Sequence, residues 1–87
     1  RFGALRLAYE TLQNGLSYPI AYNGANEAAV EAFGDGSIGF MDIERVVDYT
    51  LKRHDPMEVA SLEEIVEADR RAREVARERI ERIALER

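Results

Sequence analysis

The chain contains no cysteine, one histidine and two prolines. Without cysteine there is neither a disulfide framework nor a thiolate metal site, and nothing calls for an oxidising compartment. A single histidine, His54, cannot by itself supply a His–His metal pair or a Ser–His nucleophile system. So few prolines, with 6 glycines, do not make a disordered linker. No apolar run approaches the roughly 18 residues that a membrane-spanning helix needs. Basic residues are also in deficit: 12 Lys and Arg against 17 Asp and Glu give a net charge of −5, which argues against nucleic acid or an anionic membrane as partner. The sequence opens on Arg1 and Phe2 with no signal-like apolar stretch, which gives the expectation of a piece of a longer polypeptide.

What is present is globular: 46% of residues are hydrophobic and 33% charged. At 87 residues there is room for one small domain, residues 1–87, burying roughly 60–65% of its extended-chain surface. That is too little chain for separate cofactor and substrate lobes.

Apolar residues recur at helical spacing throughout. Leu5, Ala8, Tyr9, Leu12 and Leu16 form a broad stripe, and Asn14-Gly15 is a stop signal, so a first helix is expected from Gly3 to Asn14. Ser17 to Ala21, which contains Pro19, reads as a connector. Asn23 is the expected cap of a second helix, with Ala25, Ala28, Ala29, Ala32 and Phe33 along its inner face and Glu27 near the positive end of its dipole. That helix is expected to end near Gly34-Asp35-Gly36. A third helix starts near Met41 and stops at Asp55-Pro56, with Ile43, Val46, Val47, Thr50, Leu51 and His54 on one face and Asp48 and Lys52 at ion-pair spacing. Ser61 and Glu64 make a capping box that opens the longest helix. Its stripe is Leu62, Ile65, Val66, Asp69, Ala72, Val75, Ala76, Ile80, Ile83 and Ala84, and its other face alternates Glu and Arg as a solvated surface does. No strand pattern is present. The expected class is all-α, a four-helix bundle-like array with short connections and a long C-terminal helix.

Gly34-Asp35-Gly36-Ser37-Ile38-Gly39 spells G-x-G-x-x-G. A dinucleotide fingerprint needs a strand before it, whereas Ala28 to Phe33 has helical spacing, so the segment reads as a glycine-rich interhelical turn. Asn23, Asn26 and Glu27 cluster near one helix end, and Asp69 interrupts an apolar stripe with Arg73 at i+4. These five residues, Asn23, Asn26, Glu27, Asp69 and Arg73, are candidates for structural or interdomain polar contacts. No catalytic, cofactor-binding or metal-ligating residue is assigned. Arg70, Arg71, Arg73, Arg77, Arg79 and Arg82 look basic, but Glu67, Asp69, Glu74, Glu78 and Glu81 interleave with them and leave no unbalanced phosphate-binding face.

Three segments together resemble the C-terminal helical domain of 1-deoxy-D-xylulose 5-phosphate reductoisomerase. Ala4-Leu5-Arg6-Leu7-Ala8-Tyr9-Glu10 is similar to that family's leucine–alanine helix. Asn23 to Phe33 is similar to its N-A-A-N-E-x-A-V-x-A-F segment and runs into Ile38-Gly39-Phe40-Met41-Asp42-Ile43, like I-x-F-x-D-I. Ser61-Leu62-Glu63 with Asp69, Ala72, Arg73 and Ala76 resembles the final helix with its D-x-x-A-R-x-x-A pattern. Departures are glycines: Gly3 for a common proline, Gly24 for the first alanine of the asparagine segment, and Gly34 for a usual leucine. The resemblance implies a cytoplasmic, homodimeric parent enzyme that converts 1-deoxy-D-xylulose 5-phosphate to 2-C-methyl-D-erythritol 4-phosphate in the non-mevalonate route to isoprenoids. It implies NADPH and a divalent metal (Mg or Mn) bound by N-terminal and central domains absent from this sequence. The piece itself is then a structural bundle packed on the catalytic domain, inactive alone, with no cofactor, nucleic-acid or membrane partner. The alternative is an independent helical protein-interaction module.

Overall fold

The computed structural model describes residues 17–86. They form α1 (Tyr18–Gly34), α2 (Phe40–Arg53) and α3 (Leu62–Leu85), each packed against both others, and no strand occurs among the described residues. The class is all-α. The helix expected over Gly3 to Asn14, with its Asn14-Gly15 stop, lies outside the described residues. Among the described residues no helix is long and apolar enough to cross a membrane.

The expected connector at Ser17 to Ala21 is instead the first turn of α1, with Ser17 at the N-cap position but making no side-chain capping bond. The physical reason is Pro19. In the first turn of a helix its missing N–H has no intrahelical acceptor to lose, and its fixed φ suits the helix. Asn23 therefore sits inside the helix rather than at its cap, and Glu27 lies too far in to gain from the N-terminal dipole.

The exit of α1 follows the sequence closely. Gly36 takes φ 85°, the Gly36 N–H donates to the Phe33 carbonyl (3.1 Å) and the Ser37 N–H to the Ala32 carbonyl (2.9 Å), the paired bonds of a Schellman motif. Ile38 then turns inward and is buried, while the Gly39 N–H donates to the Asp42 carboxylate at 2.8 Å and starts α2. Ile38 and Ile43 occupy the two positions of a hydrophobic staple, Ile38 inside the core cluster and Ile43 partly buried against it.

The core is built from small side chains. Ala21, Ala25, Ala28, Ala29 and Ala32 of α1 meet Ala72 and Ala76 of α3, and Val46, Val47 and Leu51 of α2 fill the remaining side. Thr50 is buried with them, and its hydroxyl donates to the Val46 carbonyl at 2.8 Å, which satisfies it within its own helix. Gly24 sits where α1 comes close to α3. A Cβ there would lie 2.9 Å from Asp69 Oδ1 and 3.4 Å from the Asp69 carbonyl oxygen.

Ser61 caps α3 as expected, its hydroxyl accepting from the Glu64 N–H at 3.2 Å. The returning arm differs from a standard capping box, because the Glu64 carboxylate accepts from Ala60 N–H at 2.8 Å rather than from the cap residue. The inner stripe of α3 is also displaced from expectation at its start. Leu62, Ile65 and Val66 are exposed, and Ala68, Ala72 and Ala76 form the seam instead. Close packing against α1 selects the face whose side chains stop at Cβ, and larger residues are turned to the flank. Phe33, expected inside α1, is likewise exposed for the same reason.

Candidate functional site

The polar residues singled out in the sequence divide between two sides of α1. Asn23 and Glu27, one turn apart, face α3. Asn26, with Tyr22 and Val30, lines a groove towards α2. Asn23 borders a separate groove with Pro19, Ile20, Ile65, Val66 and Asp69. Neither asparagine side chain hydrogen-bonds to another described residue. The expectation of a single asparagine-rich helix end is not what the backbone builds.

Glu27, Asp69 and Arg73 do come together. Arg73 Nε donates to Asp69 Oδ2 at 2.8 Å within α3, and Arg73 Nη2 donates across to Glu27 Oε1 on α1. Hydrogen bonds to Glu27 and then to Asp69 hold the Arg73 guanidinium above its usual range, so it remains a fixed cation. Asp69 is half-buried and paired, which relieves the cost that an isolated carboxylate would carry in an apolar stripe. A permanently protonated arginine between two carboxylates neutralises and positions. It offers no group that titrates near neutrality for acid–base work.

A second cluster was not assembled from the sequence. His54, at the C-terminal end of α2, meets Ser17 at the start of α1 through Nε2 and Oγ, and Ser17 Oγ also accepts from the Met57 N–H at 3.1 Å. Burial lowers the His54 pKa, Asp55 nearby opposes the shift, and Arg71 reinforces it. Which of Ser17 Oγ and His54 Nε2 donates is set by the imidazole tautomer. Ser17 is fully buried, while His54 is half-buried and lines a cavity with Arg53, Met57 and Arg71. It ties the α2–α3 connection to the first turn of α1, and the edge of Tyr18 stacks on the imidazole with ring centroids 5.0 Å apart. The only sequence signal for it was the histidine at a helix end, because the partners lie 37 and 40 positions apart.

The G-x-G-x-x-G segment is occupied with itself. Asp35 Oδ1 accepts from the Ser37 N–H (2.9 Å) and from its hydroxyl, and these bonds, the hydroxyl first, lower the Asp35 pKa. A carboxylate folded over the loop's own N–H places negative charge where a pyrophosphate would need donors, and a helix precedes the loop. The outer face of α3 carries an ion-pair ladder. Arg70 bridges Glu67 and Glu74 (both 2.9 Å), and Arg71 joins Glu67 at 2.8 Å. Hydrogen bonds from Arg70 and Arg71 hold Glu67 down to about 2. Among the described residues there is no group of three or more His, Cys, Asp and Glu that could hold a metal ion.

The Glu27–Arg73–Asp69 arrangement thus joins α1 to α3. Comparison with known proteins gives it a lineage. The family model described as DXP reductoisomerase C-terminal domain matches residues 1–75. The chain belongs to this family. The 1-deoxy-D-xylulose 5-phosphate reductoisomerase of Chlorobium phaeobacteroides (strain DSM 266 / SMG 266 / 2430) is 52% identical over 82 residues, covering 94% of this chain and 21% of that protein. The enzyme of the same name from Citrifermentans bemidjiense is 49% identical over 78 residues, 90% of this chain and 20% of that protein. The solved structure of 1-deoxy-D-xylulose 5-phosphate reductoisomerase from Zymomonas mobilis in complex with NADPH superposes with a TM-score of 0.86 at 42% identity, over 88% of this chain and 20% of that chain. The chain therefore spans about a fifth of the length of the relatives it matches. The Glu27–Arg73–Asp69 bridge of this chain lies on the Asn23–Glu27 and Asp69–Arg73 segments that carried the sequence resemblance, which places both segments at one helix–helix contact.

Proposed function

We propose that this chain is the helical support domain of a reductoisomerase that converts 1-deoxy-D-xylulose 5-phosphate to 2-C-methyl-D-erythritol 4-phosphate, and that it performs no chemistry itself. The parent is a cytoplasmic homodimer that uses NADPH and a divalent metal, and the domain packs against its catalytic region. The observation that carries the reading is the family match over residues 1–75. It is supported by where the polar groups go: Arg73 to Glu27 and Asp69, Asp35 to Ser37, and Ser17 to His54 and Met57 are all contacts of the chain with itself. The described residues do not fit either cofactor. The glycine-rich turn lacks a preceding strand and directs a carboxylate over its own amide, and no acidic or histidine cluster offers a cation a coordination set. Binding of both is assigned to the parts of the parent outside this sequence.

The test is a chimaera in which this chain replaces the matching last fifth of the Zymomonas mobilis enzyme, assayed for NADPH consumption with the sugar phosphate and Mn²⁺. Turnover is expected from the chimaera, and none from the truncated enzyme or from this chain alone. Turnover by the isolated chain, or full activity of the truncated enzyme without it, would overturn the proposal.

A further inference from the structure

Charge on the outer face of α3 balances when that helix is taken alone, because Arg70 bridges Glu67 and Glu74 and Arg71 joins Glu67. Folding brings the C-terminal end of α2 beside it. Between the two lies a cavity of about 290 Å³ with Arg53, His54, Asp55, Arg70, Arg71 and Glu74 in its lining. Two of these arginines have donors to spare. The Arg53 guanidinium lies 3.7 Å from the centroid of the Tyr49 ring and forms no ion pair among the described residues. Stacking on a ring uses the face of the guanidinium and leaves its N–H edge available. Arg71 gives Glu67 its Nε–H alone, and its two Nη groups make no hydrogen bond to another described residue. Of the two carboxylates in the lining, Glu74 is held by Arg70 at 2.9 Å, which leaves Asp55 as the opposing charge.

We infer that this cavity is an anion site, with Arg53 and Arg71 as its donors, that takes a phosphate group, free or carried by a small molecule. Three arginines against two carboxylates favour an anion here, in a chain whose net charge is −5. The negative end of the α2 dipole, about half a charge, opposes the anion without cancelling two guanidinium groups. The planar N–H fork of arginine suits the paired oxygens of an oxyanion. The volume is several times the share of one water in the liquid, about 30 Å³, and stands at the lower limit for sites that enclose drug-sized ligands. A phosphate group fits that space and a dinucleotide does not.

His54 reports on the site. It is the one histidine in the sequence, so its imidazole Cε1 proton gives a single NMR signal to follow with pH in the 87-residue chain. The groups facing it are Ser17 and the Tyr18 ring from α1, Arg53 and Asp55 on either side of it in sequence, and Arg70, Arg71 and Glu74 from α3. An anion held by Arg53 and Arg71 adds negative charge near the imidazole and favours its protonated form. Sulfate is the probe, because it stays doubly charged throughout the titration. The His54 midpoint is expected to rise saturably, by about one pH unit, in sodium sulfate relative to sodium chloride of equal ionic strength. Arg53→Gln and Arg71→Gln should each weaken sulfate binding on the order of tenfold, and Asp55→Asn should strengthen it. Arg45→Gln, whose guanidinium pairs with Asp42 elsewhere on α2, should leave it unchanged. Equal midpoints in the two salts would overturn the inference, and that comparison needs no variant to fold. A sulfate effect that survives both arginine substitutions would overturn it as well. At about pH 8 inorganic phosphate and glycerol phosphate are both doubly charged, and whichever moves the His54 signal at the lower concentration names the free or the esterified form. Movement by neither would also overturn the inference.

Discussion

Gly24→Ala is the sharpest probe of the α1–α3 contact. Alanine gains about 1 kcal/mol over glycine inside a helix, by reducing the conformational freedom of the unfolded chain. Against this, the new Cβ would sit 2.9 Å from Asp69 Oδ1, so the carboxylate has to rotate away. The contacts with Arg73 Cγ and the Asp69 carbonyl oxygen, both 3.4 Å, are tight but bearable. Rotation weakens the Asp69–Arg73 pair, a partly exposed ion pair of the kind worth about 0.5 kcal/mol. The net expectation is stabilisation of about 0.5 kcal/mol, a rise of about 2–4 °C in the midpoint of far-UV circular dichroism melting for a domain of this size. In an Asp69→Ala background the obstacle is gone, and Gly24→Ala should recover the full gain of about 1 kcal/mol, a coupling readable by double-mutant cycle. Gly24→Val cannot escape in the same way, since its branched side chain reaches the Asp69 backbone carbonyl and should cost about 1–3 kcal/mol. A lowered midpoint for Gly24→Ala, or a gain identical with and without the Asp69 carboxylate, would refute the close approach and the reasoning built on it.

Ala76→Leu, at a fully buried seam position, should destabilise by about 1–3 kcal/mol in urea unfolding, because three added carbons have no void to enter. Ser61→Ala removes the hydroxyl that caps α3 and should cost about 1 kcal/mol, whereas Ser61→Asp should be nearly neutral, as measured by chemical denaturation. The lowered His54 pKa ties stability to pH with a definite sign. The unfolded chain binds a proton near 6.5 that the folded chain resists, so stability is fully present above that pH and is lost as pH falls through the folded value. The urea midpoint should therefore drop between about pH 8 and about pH 5 more in the native chain than in His54→Gln, and parallel profiles would remove His54 from the account.

Much of the helical framework was legible in the sequence, and for local reasons. The Gly34-Asp35-Gly36 stop, the Asp55-Pro56 stop and the Ser61 cap all act through groups within a few residues of one another, which a linear reading can see. Pro19 is ambiguous in sequence because proline is tolerated both in a connector and in a first helical turn, and the choice depends on whether the chain after it packs. The Glu27–Arg73 bridge spans 46 positions, and only its α3 half, Asp69 with Arg73 at i+4, could be paired beforehand. The Ser17–His54–Met57 clasp is out of reach for the same reason, since its partners are 37 and 40 positions apart.

By itself, then, the sequence determined that this is an all-α, acidic, cysteine-free domain in which the ends of α1 and α2 and the start of α3 lie at their stops and cap, and it determined the family through an ordered set of short segments. The inner alanines of α1 and the Val46, Val47, Thr50 and Leu51 face of α2 lie inside as their spacing predicts, and the tertiary structure alone decided where the edges of the α1 and α3 stripes fall. Periodicity marks an apolar stripe but not its centre, and packing two helices at close range favours the residues that end at Cβ. That preference turned Ala68, Ala72 and Ala76 inward, left Ile65, Val66 and Phe33 outside, and divided Asn23 from Asn26 across α1.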